Sequence, residues 1–207
     1  MPFDWLARKQ ERDQRRATVA DRVPPGQELT DKWPVLHYGN IPSFDPTRWD
    51  FTVSGLVAHP VHWSYQEFMA LAKVQVGSDI HCVTGWSKLD NSWEGVSVQD
   101  ILMQVTPLPQ ARFVMVHADP DYTTNLPLQE LLKDDVLLAY KHNGENLTPE
   151  HGWPLRLVVP HLYFWKSAKW VRGLEFVETD ARGFWERYGY HNHGDPWQEE
   201  RYSWQEG

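Results

Sequence analysis

The chain has 207 residues, 41% hydrophobic and 23% charged, and its 20 Lys and Arg against 28 Asp and Glu give a formal net charge of −8. A chain this long hides roughly 70% of its unfolded surface, so a packed domain is expected and a disordered or fibrous chain is excluded. The acidic balance argues against a general nucleic-acid binder and against polybasic attraction to anionic lipid. The single cysteine excludes an intramolecular disulfide and a zinc site built from several cysteines, and fits a reducing compartment.

In chain order, residues 1–30 read as a charged N-terminal arm, with 3–16 as a surface helix or frayed arm and Pro24-Pro25-Gly26 as a breaker. Arg15-Arg16 raises a twin-arginine export signal, but only Ala17 to Ala20 separates the pair from Asp21 and Arg22. The apolar stretch of such a signal is missing, and no run of 18 apolar residues exists, so a cytoplasmic protein without a membrane span is expected. Residues 31–207 read as one domain. Residues 49–57 alternate as a strand with Phe51, Val53 and Gly55 on one side. Ser64-Tyr65-Gln66-Glu67 is a capping-box pattern that opens a short helix with Phe68, Leu71 and Ala72 inward. A second start, Ser97-Val98-Gln99-Asp100, leads into Ile101, Leu102 and Val105, and Pro107 and Pro109 end that helix. Residues 112–118 read as a buried strand, Asp119-Pro120-Asp121 as a turn, 126–132 as a short helix, and 155–159 and 171–177 as two more strands. Short strands and helices without a βαβ beat or a Gly-rich phosphate loop predict an α+β domain and exclude Rossmann and P-loop enzymes.

Three features carry chemistry. Cys82 lies in Ile80-His81-Cys82-Val83-Thr84-Gly85-Trp86-Ser87. A loop cysteine among polar groups is a ligand or nucleophile candidate, although His81, adjacent in an extended segment, faces the opposite side and is a poor base for it. A buried structural thiol, or a thiol enzyme using a distant histidine, are the alternatives. Second, Arg156 sits inside an apolar strand, where a guanidinium needs an anionic partner. Lys166 and Lys169 follow after an aromatic turn; cations, hydroxyl or imidazole donors and aromatic rings within twenty residues suit an anionic ligand with a flat ring. Third, the chain holds 12 Trp, six of them after residue 150, which suggests an aromatic core or a wall around a flat cofactor. His191 and His193, two apart, would put both imidazoles on one strand face as a zinc pair, but a Trp- and Tyr-rich tail wrapping the core is the favoured reading.

The Cys82 block and the segment from His151 to Val171 together resemble the molybdopterin-binding domain of the sulfite oxidase superfamily. Leu36-His37-Tyr38-Gly39 and Tyr122-Thr123-Thr124-Asn125-Leu126-Pro127-Leu128 resemble two further stretches of it, with Pro120-Asp121 in place of the usual Asp-Gly. The similarity covers roughly residues 33–180. It implies a mixed-sheet fold and a molybdenum–molybdopterin cofactor, with Cys82 ligating the metal. It implies that His37, Tyr38, Gly39, His151, Arg156, Ser167, Ala168 and Lys169 bind the cofactor, that Lys166 helps neutralise its phosphate, and that Tyr122 serves the substrate side. Where sulfite oxidases carry arginines after the cysteine, this chain has Trp86, Ser87 and Lys88, and the Cys-Val-x-x-Trp-Ser form is more similar to bacterial subunits that reduce methionine sulfoxide. The expectation is an oxo-transfer oxidoreductase for a small S- or N-oxide type substrate. A catalytically silent molybdopterin- or anion-binding domain is the alternative. With no haem, flavin or iron–sulfur motif, electrons pass to a separate protein or carrier; with no dimerisation domain, a monomer is expected.

Overall fold

The computed structural model describes residues 7, 8, 10, 14 and 17–207, so the helix or arm expected over 3–16 falls largely outside the described residues. Eleven strands form two sheets. In chain order they are β1 (Glu28–Leu29), β2 (Asp50–Gly55), β3 (Val61–Ser64), β4 (Val74–Cys82), β5 (Trp86–Ser97), β6 (Phe113–Ala118), β7 (Tyr122–Pro127), β8 (Leu137–His142), β9 (Glu145–Asn146), β10 (Arg156–Val158) and β11 (Val171–Val177). One sheet runs β3-β2-β11-β6-β7, with β2 and β11 parallel and the other pairs antiparallel. The other is organised by β5, which carries β4 along one edge and β1, then β8, along the opposite edge; β8 in turn pairs with β10 and β9. Short helices accompany them, among them α1 (Tyr65–Met69), α2 (Val98–Val105) and α3 (Phe184–Arg187). The α+β expectation holds, with mixed sheets and few helices.

The local signals act as their chemistry requires. At α1 the Glu67 carboxylate accepts the Ser64 N–H at 2.8 Å and its hydroxyl at 2.7 Å, and the Ser64 oxygen caps the Glu67 N–H. The helix stops at Met69, so Phe68 is buried while Ala72, expected inward, is exposed. In α2 the stripe Val98, Ile101, Leu102 and Val105 is buried, and Thr106 at φ 51° ends it ahead of Pro107. Strand β6 buries Val114, Val116 and Ala118 but leaves His117 in solvent, so it is covered on one face only. The helix expected over 126–132 begins two residues late. Leu126 and Pro127 finish β7, and a 3₁₀ turn takes Leu128–Leu132.

Residues 22–29, which fall within the expected arm, contribute to the packed body. Gln27 is fully buried, β1 pairs with β5, and Arg22 grips Asp79 (2.7 and 2.9 Å) and Asp90 (2.6 Å). The main core lies between the five-stranded sheet, α1 and α2, and smaller clusters sit around Trp93 and around Cys82.

Candidate active site

Cys82 is the last residue of β4, where the β4–β5 hairpin turns through residues 83–85. Gly85, at φ +91°, returns its N–H to the Cys82 carbonyl at 2.9 Å, a conformation that favours glycine. Register puts Cys82 opposite Trp86 and His81 opposite Ser87. His81 faces away, bonded through Nδ1 to the Ser87 hydroxyl at 2.8 Å, and burial lowers its pKa to about 4. The Thr84 hydroxyl donates to the Cys82 sulfur at 3.1 Å, and the Thr84 backbone also addresses it. Burial pushes the thiol pKa up, against which the Thr84 contacts and Arg201 act. No histidine activates it as a nucleophile, which removes the support for a thiol enzyme.

The sulfur opens into a cleft of about 340 Å³, within the ordinary range of small-molecule sites. Of the residues singled out from sequence, His37, Tyr38, Cys82, Tyr122, Arg156, Ser167, Ala168 and Lys169 line it. Gly39, which is exposed, and His151 are not among its lining residues. Gly39 offers its carbonyl to His37 Nδ1 at 3.0 Å. The His151 ring stacks on Trp33 (centroids 3.9 Å), and its carbonyl accepts from Arg156 Nη1 at 2.7 Å. Lys166, expected at a phosphate, is turned into the core: its Nζ reaches Glu186 Oε1 at 2.7 Å, the Asn125 carbonyl at 2.8 Å and the Asn192 carbonyl at 2.7 Å. The Tyr122 hydroxyl donates to the Trp165 carbonyl at 2.9 Å, and burial raises its pKa well above normal, so its ring rather than its proton faces the cleft. Lys88, the one cation shortly after Cys82, bonds Asn91 at 2.8 Å and does not line the cleft.

Arg156 reports the electrostatics of the far end. It is 1% exposed, and its guanidinium donates only to the His151 and Ser167 carbonyls, the latter at 2.9 Å. No carboxylate of the described residues pairs with it, and burial lowers its pKa to about 9. Lys169 beside it bonds the Leu36 carbonyl at 2.7 Å and the Glu150 carbonyl at 2.5 Å. Burial, then repulsion from Arg156, lowers its pKa to about 7. A buried guanidinium and a half-buried ammonium, neither ion-paired among the described residues and flanked by Trp33, Phe164 and Trp170, would suit an anionic group on a flat ligand. The buried Nε of Arg156 and Nε1 of Trp86 also have no hydrogen-bond partner among the described residues.

The sequence reading missed the wall opposite. Phe184 and Trp185 of α3 and Tyr190 beyond it line the cleft beside Cys82. The Tyr190 ring packs on Trp165 (5.1 Å) and Trp185 (5.2 Å), and its hydroxyl makes no hydrogen bond among the described residues. No local pattern points to these residues, because a tail crossing from the other sheet delivers them. The zinc pair is not formed. His193 bonds Glu200 (2.7 Å) and Glu130 (3.3 Å), His191 Nδ1 accepts backbone N–H groups, and no metal-holding cluster occurs among the described residues.

Residues 38–185 match the family described as oxidoreductase molybdopterin binding domain. The chain belongs to this family. It is 52% identical to the uncharacterized oxidoreductase YuiH of Bacillus subtilis over 92% of this chain and 96% of that one. It is 27% identical to the protein-methionine-sulfoxide reductase catalytic subunit MsrP of Ralstonia nicotianae over 93% of this chain and 66% of that one. With sulfite oxidase of Arabidopsis thaliana it shares 26% identity over 85% of this chain and 53% of the relative, so it spans about half to two thirds of these two proteins. Its fold is shared with a crystallised chain of the sulfane dehydrogenase SoxCD of Paracoccus pantotrophus, at a TM-score of 0.64 and 20% identity over 74% of this chain and 43% of that one. The protein is thus a sulfite oxidase-like, molybdopterin-dependent oxidoreductase, and the unpaired cations and the lone thiol of the cleft fit a phosphorylated, metal-bearing pterin.

Two outcomes follow from the cation pair. Arg156→Met loses donors to two carbonyls but also an uncompensated buried charge, so the cofactor-free protein is expected to melt within about 5 °C of wild type. Its pterin content, measured after purification from a cofactor-making host, should fall at least roughly tenfold. Lys169 has a folded pKa of about 7, below its unfolded value, so the unfolded chain binds the extra proton and stability rises with pH above about 7. Cofactor-free wild type should therefore gain on Lys169→Met by up to about 1.4 kcal/mol per unit between about pH 7 and 9, read by denaturant unfolding; a constant difference would reject the desolvated lysine.

Proposed function

We propose that the protein binds molybdenum–molybdopterin and transfers an oxygen atom to or from a small S- or N-oxide type molecule, exchanging electrons with a separate protein or carrier. The observation that supports this best is a single cleft lined both by a thiol and by cations that have no ion-pair partner among the described residues. When bound, the cofactor would supply oxo transfer at a metal that changes oxidation state by two electrons. Cys82, as thiolate, is the soft ligand the chain offers, and metal binding keeps it deprotonated although burial favours the thiol. Arg156 and Lys169 hold the phosphate. Tyr190 presents a free hydroxyl beside Cys82, and in reduction of an oxide it would donate to the departing oxygen, which leaves as water after two protons and two electrons from the carrier.

Reduction of oxides is favoured over sulfite oxidation. Relatives bear the names of sulfite oxidase, nitrate reductase and methionine-sulfoxide reductase. In this chain Trp86 lines the cleft where a sulfite clamp would need guanidinium groups, and Lys88 is turned away. We also propose one functional unit over residues 31–207, completed by β1, and a cytoplasmic monomer. These rest on the composition and the resemblance, and are checked by cell fractionation and sedimentation.

Cys82→Ser is expected to keep its melting temperature and its pterin while turnover falls by roughly a thousandfold or more, about 4 kcal/mol of transition-state stabilisation. Wild-type turnover in this variant would overturn the assignment of Cys82. Steady-state kinetics with a reduced viologen should give methionine sulfoxide or trimethylamine N-oxide a kcat/KM at least about tenfold above that for sulfite oxidation with an artificial acceptor. The reverse order would reject the neutral-oxide reading.

A further inference from the structure

The tail carries a file of aromatic rings from the surface to the cleft. Trp204, 79% exposed, stacks on Tyr202 with centroids 6.3 Å apart and planes at 18°. Tyr202 meets Tyr190 at 6.1 Å, and an antiparallel backbone bridge joins the same two residues. Tyr190 meets Trp185 at 5.2 Å and Trp165 at 5.1 Å, lines the cleft with Cys82 and packs against the buried cluster that contains Cys82. Burial, then the charges of Tyr202 and Cys82, raises the Tyr190 pKa, so both groups lie within electrostatic reach of its hydroxyl.

Phenol and indole rings are, with thiols, the side chains that give up one electron most readily, a phenol losing its proton as the electron leaves. Rings in contact hand such a vacancy from one to the next. The rings of the main core connect largely through Phe51 and Phe68, which resist oxidation. The file from Trp204 through Tyr202 to Tyr190 contains no phenylalanine. At its inner end lies the one cysteine of the chain, held as a thiol by burial in the absence of cofactor. A radical oxidant that reaches this thiol removes a hydrogen atom from it, and sulfur left in that state is oxidised further.

We propose that Tyr190, Tyr202 and Trp204 form a relay that carries one-electron oxidising equivalents from the free Cys82 thiol to the protein surface. The Cys82 sulfur radical takes one electron and one proton from the Tyr190 hydroxyl, which restores the thiol and leaves a phenoxyl radical. Tyr202 then gives up its own electron and proton to Tyr190. The exposed, stacked pair Tyr202–Trp204 is where a solution reductant of the ascorbate class returns a hydrogen atom, so the net reaction is repair of the thiol by that reductant.

The test drives the relay from its outer end, by pulse radiolysis of the holoenzyme with the azide radical, which oxidises indoles. In wild type, part of the indolyl radical should convert to phenoxyl radical in a first-order phase whose rate does not depend on protein concentration. Trp204→Phe should lose that phase, and Tyr202→Phe should slow it at least about tenfold. Under a steady load of radicals with ascorbate present, the cofactor-free full chain of Tyr202→Phe should accumulate oxidised Cys82 at least about twofold above wild type, read by peptide mass spectrometry. Melting temperature is measured alongside for both variants. A wild type without the first-order phase, or variants that keep it unchanged, would overturn the relay. A relay that conducts while Cys82 oxidation is equal in the two chains would overturn its protective role. Neither readout depends on which oxide is reduced, so the proposed reaction stands or fails separately.

Discussion

A guanidinium sealed inside the protein without a counter-charge sets the terms for the rest of this molecule. Other charges in the interior are compensated: Lys166 meets Glu186, and the half-buried Arg172 meets Asp50 and Asp119. Arg156 alone, with Lys169 near it, faces carbonyl oxygens only. Strand β10 is buried on both faces, so the side chain, 1% exposed, meets solvent only through the cleft that it lines. Such an unfavourable arrangement is relieved where a bound anion completes it, and on the proposed reading Arg156 would meet the charged part of the cofactor.

The opposite end follows a different rule. Around Cys82 the surroundings are apolar and aromatic, and a single hydroxyl addresses the sulfur. Such surroundings do not stabilise a free thiolate, yet they suit a sulfur whose charge is shared with a metal. One wall is built from a segment on the far side of the other sheet. Trp165 is clamped there through its indole N–H by Glu186 and through its carbonyl by Tyr122, and Gly194 at φ +88° lets the tail lie directly on its ring.

Which parts were legible depended on whether the signal was local. Arg156 stood out because a charge interrupts an apolar strand, and Cys82 because it is alone among turn-forming and polar neighbours. The capping box at Ser64 and the stripe of α2 are short-range patterns, and both formed. Strand β8 was missed because Leu137 to Tyr140 is a continuous apolar run that periodicity cannot separate from a helix. Strands β4 and β5 were missed because polar residues such as Gln75, Asp90 and Ser92 dilute the alternation of a hairpin half open to solvent. Lys166 was misplaced because residues 163–167 form a tight turn, with N–H bonds from Lys166 to the Tyr163 carbonyl and from Ser167 to the Phe164 carbonyl. Neighbours in such a turn point in different directions. Tyr190 and Trp185 reach Cys82 only through the tertiary fold, which no window of sequence contains.

The Cys82 turn is held by chain segments far apart in sequence. Glu28 donates its N–H to the Gly85 carbonyl at 2.8 Å, and Arg201 donates to the Val83 carbonyl at 2.6 Å across 118 positions. During synthesis the Cys82 turn therefore cannot be completed until residue 201 has left the ribosome. Contacts of such long sequence separation form late and slowly. On the proposed reading, a cofactor held by Cys82 would therefore find its complete turn only after the C-terminal segment has been made.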